Sequence, residues 1–462
     1  MARFFIIFLL AATAFLFPVL QSSYSQKMRA TDNITRDYNI SIARNAASSY
    51  ASMLLYEIAE TFDSVDFQNQ SKLNDYLEEF TFTDNNTAFS GTNIVSSLST
   101  QDTGYTLELK VIATKGDVEA TFETKTFQIP FSYYGLFLNG SVGGYYYGNE
   151  KFWELLDGPM HVNGNFAAGG VPGPQVTGNL NMTGIMKYGY GLSYEKWSRF
   201  TGESINTGVD KLNFPNHMNF IDKHNAYDLD NLFSSPYNSS LYIQLGDDAS
   251  GNGIVDVYAV PYDDPQLADP AYLLANKRTI LISDLQDVYG LDENLLFSQK
   301  YKIHVQGTLN GQLTIAGWKD FYITDDILLK DDPTVNPDSE DILGLYTKND
   351  LYIASREKEY TNNVYYNENG VDIFANIFTG NSLKIENFSS WKGPKSRGAF
   401  RVYGSRSQHK CNATFSGFTN YRGFLEEIIY DYRFRSIAPP GVPWTDNRRL
   451  SDFKESYRII PT

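Results

Sequence analysis

The chain has 462 residues, 20% charged and 42% hydrophobic, which marks it as a folding chain and one too long for a single small core. Its formal charge is −16, so a phosphate backbone is repelled and no nucleic-acid partner is expected. A single cysteine, Cys411, rules out a disulfide framework within the chain and suits a bacterial envelope protein better than a large secreted animal domain.

The N-terminus opens with Arg3 and an apolar run from Phe4 to Leu20. A positive start, an apolar middle and a polar flank direct a segment to a membrane. The run is at the short edge for a spanning helix, and Ser23-Tyr24-Ser25 is a small-x-small triplet that suits cleavage. Residues 1–26 are therefore read as a signal anchor or transmembrane segment, with the membrane as partner through residues 4–20. The bulk of the chain is expected on the far side of the inner membrane, periplasmic or at the cell surface.

Residues 27–135 read as a pilin-like module. Apolar residues at Ile34, Tyr38, Ile42, Ala46, Tyr50, Leu54, Ile58 and Phe62 recur in steps of four with no Pro or Gly, which predicts a long amphipathic helix. Between Tyr105 and Phe131, Leu107, Leu109, Val111 and Ala113 alternate, Lys115-Gly116-Asp117 supplies a turn, and Val118, Ala120 and Phe122 alternate back. That is a β-hairpin.

Residues 136–443 carry a mainly β pattern. Three units each hold two apolar pairs: Leu313/Ile315 with Phe321/Ile323, Leu343/Leu345 with Leu351/Ile353, and Ala375/Ile377 with Leu383/Ile385. Within each unit the pairs lie eight residues apart, and the units themselves follow at steps of 30 and 32. One hairpin does not predict this, but a coil of chain that supplies two short strands per turn does. A right-handed parallel β-solenoid is expected, with equivalent strands stacked about 4.8 Å apart. A β-sandwich is the alternative. Met160, Val162, Val176, Leu180 and Met182, with glycines at 158, 164, 178 and 184 permitting positive φ at corners, extend the pattern backward. An irregular insertion spans about 190–300, containing a hairpin around the Gly-rich loop of "LYIQLGDDASGNGIVDVYAV". Residues 444–462 read as a C-terminal tail.

Two stretches, "WELLDGPMHVNGNF" with "GPQVTGNLNMTG" and "IIYDYRFRSIAPPGVP", resemble an uncharacterised family of bacterial envelope proteins. Its members carry an N-terminal segment similar to that of minor pilus proteins of the PilX type. The resemblance implies a membrane-anchored, pilus-associated or surface protein without an established activity. One departure matters: the N-terminus lacks the Gly-Phe junction and following Glu of a prepilin, which points to an uncleaved anchor or to ordinary signal peptidase.

Tyr430, Asp431 and Arg433 also have a physical reading. Asp and Arg two apart on a strand face one side and can form a bidentate ion pair. Pro439, Pro440 and Pro443 then end the ladder. A solenoid's last coil exposes its core, so this motif is read as the structural cap.

Little chemistry stands out. Asp325-Asp326 and Asp331-Asp332 are adjacent pairs whose members face opposite sides of a strand, so neither is a catalytic dyad. His161 is expected to face outward. No zinc, hydrolase-elbow or phosphate-loop motif occurs. Asp248, Ser250, Asn252 and Asp256 resemble the first nine positions of a calcium loop, yet Ala259 stands where a bidentate Glu belongs. The acidic run Asp331, Asp332, Asp338, Glu340 and Asp341 is a second calcium candidate. Tyr133-Tyr134 with Tyr145-Tyr146-Tyr147 could stack on sugars. The sequence thus favours a non-enzymatic structural or interaction protein, with envelope or pilus-type proteins or surface glycans as partners and no cofactor beyond a calcium candidate. A secreted polysaccharide lyase or hydrolase on a β-helix and a carbohydrate-binding module are the alternatives.

Overall fold

The computed structural model describes residues 2–61, 70–84, 91–100, 106–127, 129–142, 146–148, 153–215, 221, 223–233, 239–261, 277–291, 293–354, 370–386, 399–411, 415–416, 422–435, 437–445, 449–450 and 454–460. The chain divides into two compact units. One comprises Met1–Phe127 with Arg448–Thr462, the other Gln128–Asn447. The architecture is mainly β with one long N-terminal helix and a large multi-strand sheet.

In the first unit a helix runs from Ala2 to Thr61, about 90 Å at 1.5 Å per residue. Among the side chains described on it, from Leu16 onward, those packed lie in its second half. Ala43, Ala46, Ala47, Ala51, Leu54 and Ile58 are buried against the sheet, on one face of the helix. The step of four read from Ile34 onward follows the buried stripe only from Ala46, where Ala46, Leu54 and Ile58 are buried and Tyr50 packs on the same cluster. Ile34 and Tyr38 are exposed, because a strict step of four rotates off a 3.6-residue helix, and Phe62 lies outside the described residues. The small alanines let the helix axis approach the sheet closely.

The sheet is antiparallel. Asn93–Thr100 pairs with Thr106–Lys115, which pairs with Val118–Phe127 around the turn at Gly116-Asp117, where Gly116 takes φ +61°. The alternation expected there holds: Leu107, Leu109, Val111, Ala113, Val118, Ala120 and Phe122 all face the core. The segment read as a tail supplies one more strand, Lys454–Ile459, antiparallel to Val118–Phe127 (Glu455 opposite Phe122, Ile459 opposite Val118). Arg44 of the helix holds Glu455 through two hydrogen bonds at 2.7 and 3.0 Å. The chain therefore leaves this sheet after Phe127 and returns to finish it after the whole of the second unit.

In the second unit the repeated pairs fall into parallel register. Leu313 is opposite Leu343, and Ile315, Leu345 and Ile377 form one column. Phe321, Leu351 and Leu383 form another, as do Ile323, Ile353 and Ile385. All these side chains are buried in one cluster. The bends between paired strands also stack: Asp350 accepts hydrogen bonds from Asn381 Nδ2 and Ser382 N of the next unit and pairs with Lys384 at 2.6 Å.

The earlier block, Leu136 to Thr207, stacks in the same way. Leu136–Leu138, Met160–Val162, Leu180–Met182 and Ile205–Thr207 pair in parallel succession. Its corners depend on missing Cβ atoms. A Cβ on Gly178 would overlap the Gly158 carbonyl, and one on Gly184 would crowd the Gly164 backbone. Of the four glycines marked for positive φ, only Gly158 adopts it, at +82°. The others are required for close backbone approach.

The order of stacking is not the order of sequence. Ala399–Gln408, late in the chain, pairs with Val371–Thr379 on one side and with Leu136–Leu138 on the other (Arg406 opposite Leu136, Gln408 opposite Leu138). Leu425–Tyr430 likewise pairs with Ala399–Gln408 and with Leu155–Leu156. The last strands of the later block are seated on the first strands of the earlier one. The later block's other end is closed from within the irregular segment. There the antiparallel strands Ser239–Asp247, Gly253–Pro261 and Lys277–Leu281 lead into the short helix Ile282–Asp287, whose Ile282 and Leu285 are buried in the later block's core.

Candidate functional site

The joint between the two blocks holds most of the unusual chemistry in the second unit. Glu426 sits in Leu425–Tyr430, where Glu426, Ile428 and Tyr430 alternate inward. Arg406 lies on the neighbouring strand. The two are 1% and 2% exposed at their side chains and meet at 2.5 Å. Arg406 also donates to Tyr146 Oη at 3.0 Å, and Tyr146 Oη lies 3.8 Å from Cys411 Sγ. Glu154, buried close by, accepts from the Tyr147 amide at 2.6 Å.

Burial penalises every charge here, and the neighbours decide which survive. For Arg406, burial pulls downward, but the Glu426 carboxylate outweighs it and holds the guanidinium charged. For Glu154, burial and the nearby Glu426 raise the carboxyl to about 8, against the opposing pull of the Tyr147 amide and Arg406. Burial raises the Cys411 thiol to about 11 despite Arg406. A thiol held so high stays protonated at neutral pH and is a poor nucleophile. The cluster is thus one ion pair, a neutral acid, a phenol and a thiol. It can fix the seating of one block on the other. Half-buried Cys411 packs on the earlier block's core.

The motif read as a cap lies at this same joint. Because Leu425–Tyr430 has partners on both edges, Tyr430 and the residues after it do not close an open end. The expected ion pair forms, with Arg433 Nη2 2.6 Å from Asp431 Oδ2, but on a 3₁₀ turn, Tyr432–Arg435. Arg433 Nη1 also donates to the Ser339 and Asp341 carbonyls at 2.6 and 3.1 Å, clamping the loop that follows Leu329. Asp157 collects the Tyr430 amide, the Tyr432 hydroxyl (each 3.2 Å) and the Thr177 hydroxyl. The Tyr430 ring lies so tightly on Gly158 that no Cβ fits there. Of the prolines, Pro440 accepts from Thr314 Oγ1 at 2.6 Å, Pro443 from the Phe131 amide at 2.9 Å and Pro439 from the Val442 amide at 3.2 Å. They lead the chain back along the stack.

The calcium candidates are differently employed. Asp248 Oδ1 accepts the Ser250 and Asn252 amides at 2.8 Å, and its Oδ2 accepts Asn252 Nδ2 at 2.9 Å. The Asn252 hydrogen bonds hold this exposed carboxyl below its usual range. Asp256 lies three residue pairs down the hairpin, about 10 Å along the strand, and is held by Lys277 at 2.8 Å and Thr279 at 2.5 Å. Asp248, Ser250 and Asn252 form a self-satisfied hairpin turn, with Asp256 on the strand below it. In the acidic loop, Asp341 caps the Gly311 and Asp331 amides and Asp332 caps Thr334. Among the described residues no group of three or more His, Cys, Asp and Glu is placed to hold a metal.

His161 does not face solvent. It is buried, stacked on Phe137 at 5.5 Å, with Nε2 3.0 Å from Asn163 Oδ1. Asn163 in turn binds both the amide and carbonyl of Leu212, so the chain after Thr207 crosses this face and covers it. Tyr134 and Tyr146 are also buried, and Tyr145 lies outside the described residues, so Tyr133-Tyr134 with Tyr145-Tyr146-Tyr147 do not form a flat exposed sugar platform. Asp325 and Asp326 are exposed, and Asp326 caps the Asp372 amide at 2.8 Å.

At the N-terminus, Leu16, Phe17, Val19 and Leu20 are 57, 69, 64 and 65% exposed on the helix. Among the described residues no helix is long and apolar enough to cross a membrane; the side chains of residues 1–15 are outside that description.

No family model matches the chain, and no curated protein matches it. Among solved structures, a competence-associated pilin, ComZ of Thermus thermophilus, is similar at 10% identity and a TM-score of 0.27, over 90% of this chain and 97% of that one. So low a score leaves the functional reading to this chain's own geometry.

Proposed function

We propose that this is an envelope-anchored, pilin-like structural protein that carries a parallel β-solenoid and serves adhesion or surface assembly. The observation that carries this reading is the division of the long helix. Its second half is packed on an antiparallel sheet, while Leu16, Phe17, Val19 and Leu20 stand uncovered in the first half. Contiguous large apolar residues in water need a cover, which a membrane or other apolar helices supply. The resemblance to an envelope family with a PilX-type N-terminal segment points the same way. Envelope or pilus-type proteins and surface glycans are the partners this assigns.

The solenoid reading draws on the columns Leu313–Leu343, Ile315–Leu345–Ile377 and Ile323–Ile353–Ile385. A β-sandwich builds each layer from antiparallel neighbours, whereas these pairs are parallel. The right hand follows the general rule for parallel crossovers.

Mass spectrometry of the mature N-terminus, with protease shaving of intact cells, tests the anchor. Retention of Met1–Leu20 with the bulk of the chain cleaved by external protease is the expected result. A mature chain beginning at Gln26 in the culture fluid would overturn it.

A further inference from the structure

Along one side of the earlier block, aromatic side chains stand out of the fold where one would expect them inside it. Trp153 is 37% exposed and Tyr190 59%. Large aromatics ordinarily bury their faces, and their exposure together at one place marks a binding surface.

The local backbone is built to hold them there. The strands Tyr146–Tyr147, Phe166–Gly169 and Met186–Gly189 pair in parallel, which puts Tyr147 in register with Gly169 and Gly189. Two glycines in that column leave room beside Tyr147, and its ring lies against Gly170, where an added Cβ would stand 2.8 Å from Cε2. Tyr190 follows at φ +54° and Gly191 at +81°. That pair of left-handed residues is ordinarily Asn-Gly, and a tyrosine in the first position is disfavoured by its Cβ. Its ring meets Tyr147 edge-on, centroids 5.9 Å apart at 77°. Trp153 is joined to the same place by its bridge to Gly148, and the Arg199 guanidinium lies 4.0 Å from its ring centre. Tyr147 and Tyr190 thus form an L-shaped aromatic corner beside a cation-braced indole.

We propose that this corner is a carbohydrate-binding site for a neutral glycan. A pyranose offers an apolar C–H face and a rim of hydroxyls, which suits two rings near a right angle with a polar side chain, Arg199, at the neighbouring indole. An aliphatic protein surface would not need perpendicular aromatic rings. A chain with a net charge of −16 disfavours uronate or sulfated polymers. The site uses residues other than the buried Tyr134 and Tyr146. It deepens the adhesive reading above and rests on it for biological meaning, but binding in solution succeeds or fails whether or not the chain is anchored.

The test is isothermal titration of the full-length chain, kept in a zwitterionic detergent without a sugar headgroup. The probes are maltohexaose, cellohexaose and N-acetylchitohexaose, with polygalacturonate as the charged control. Saturable binding of at least one neutral hexasaccharide is expected. Tyr190→Asn, which suits the left-handed backbone, is expected to weaken it about tenfold, the scale of one aromatic contact, while leaving the melting temperature unchanged or raised. Trp153→Leu is expected to weaken it similarly. Binding that survives both substitutions, or no binding of any neutral probe, overturns the proposal. Tighter binding of polygalacturonate than of all three overturns the neutral assignment.

Discussion

The two blocks of the second unit reach the same parallel stacking with a different balance of apolar columns and glycine corners. In the later block large side chains define the register: Ile323, Ile353 and Ile385 are superposed and fully packed. In the earlier block the register is fixed at the corners by what is absent, since Gly158, Gly178 and Gly202 let one backbone rest on the next. Interior filling tolerates polar bends and the long insertion after Leu329. Close backbone approach tolerates no side chain at all. Where the blocks meet, the apolar column continues through Val402, Ile428 and Leu156, and a buried ion pair stands beside it.

The contrast can be broken hardest from the aliphatic side. Ile353→Asp places an unpaired carboxylate between Ile323 and Ile385, costing several kcal/mol and more than one domain has to spare. Loss of the cooperative unfolding transition by circular dichroism is expected, and a variant melting like wild type would refute the assigned register. At the joint, Arg406→Met leaves Glu426 buried without its cation, a loss of about 3–5 kcal/mol. Adding Glu426→Leu should restore most of that stability in urea titrations, because the deficit comes from the stranded charge rather than from lost attraction. In the glycine-cornered block, Gly178→Ala drives a methyl into the Gly158 carbonyl and should cost about 1–3 kcal/mol by the same measurement, whereas alanine at half-buried but uncrowded Gly246 should cost much less.

The mildest and most diagnostic change concerns pH. Glu154 has its folded carboxyl raised from 4.5 to about 8, so the folded state binds this proton more tightly than the unfolded state does. Its contribution is therefore most favourable below about pH 4.5 and is lost as pH rises toward 8. Glu154→Gln should flatten that part of the stability–pH curve and raise stability at pH 8 by on the order of 1–3 kcal/mol. An unchanged curve would show that Glu154 is ionised in the folded protein.

Some of the joint was legible and was passed over. Glu426 stands at an inward position of the alternating run from Leu425 to Tyr430, and a carboxylate on a core face requires a cation or a proton. The sequence does not say which cation, because Arg401 and Arg406 both precede it on one strand. Arg401 turns outward to Asp372 and Glu427, and Arg406 inward. The Asp431–Arg433 pair was readable from its spacing, but its use as a clamp on the Ser339 and Asp341 carbonyls was not. His161 was misread because its cover comes from a segment some fifty residues later, anchored by Leu212.

By itself the sequence determined whatever depends on short spacing. That includes the hairpin at Gly116, the long helix, the hairpin over Asp248, and the register of the strands from Leu313 to Ile385, since side-chain alternation and repeat length are local properties. Tertiary structure alone decided that the last strands seat on the first, that Lys454–Ile459 returns to complete the N-terminal sheet, and which polar groups were buried in the process. Those outcomes depend on which exposed strand edge finds which partner, and an edge offers the same backbone donors and acceptors whatever its sequence.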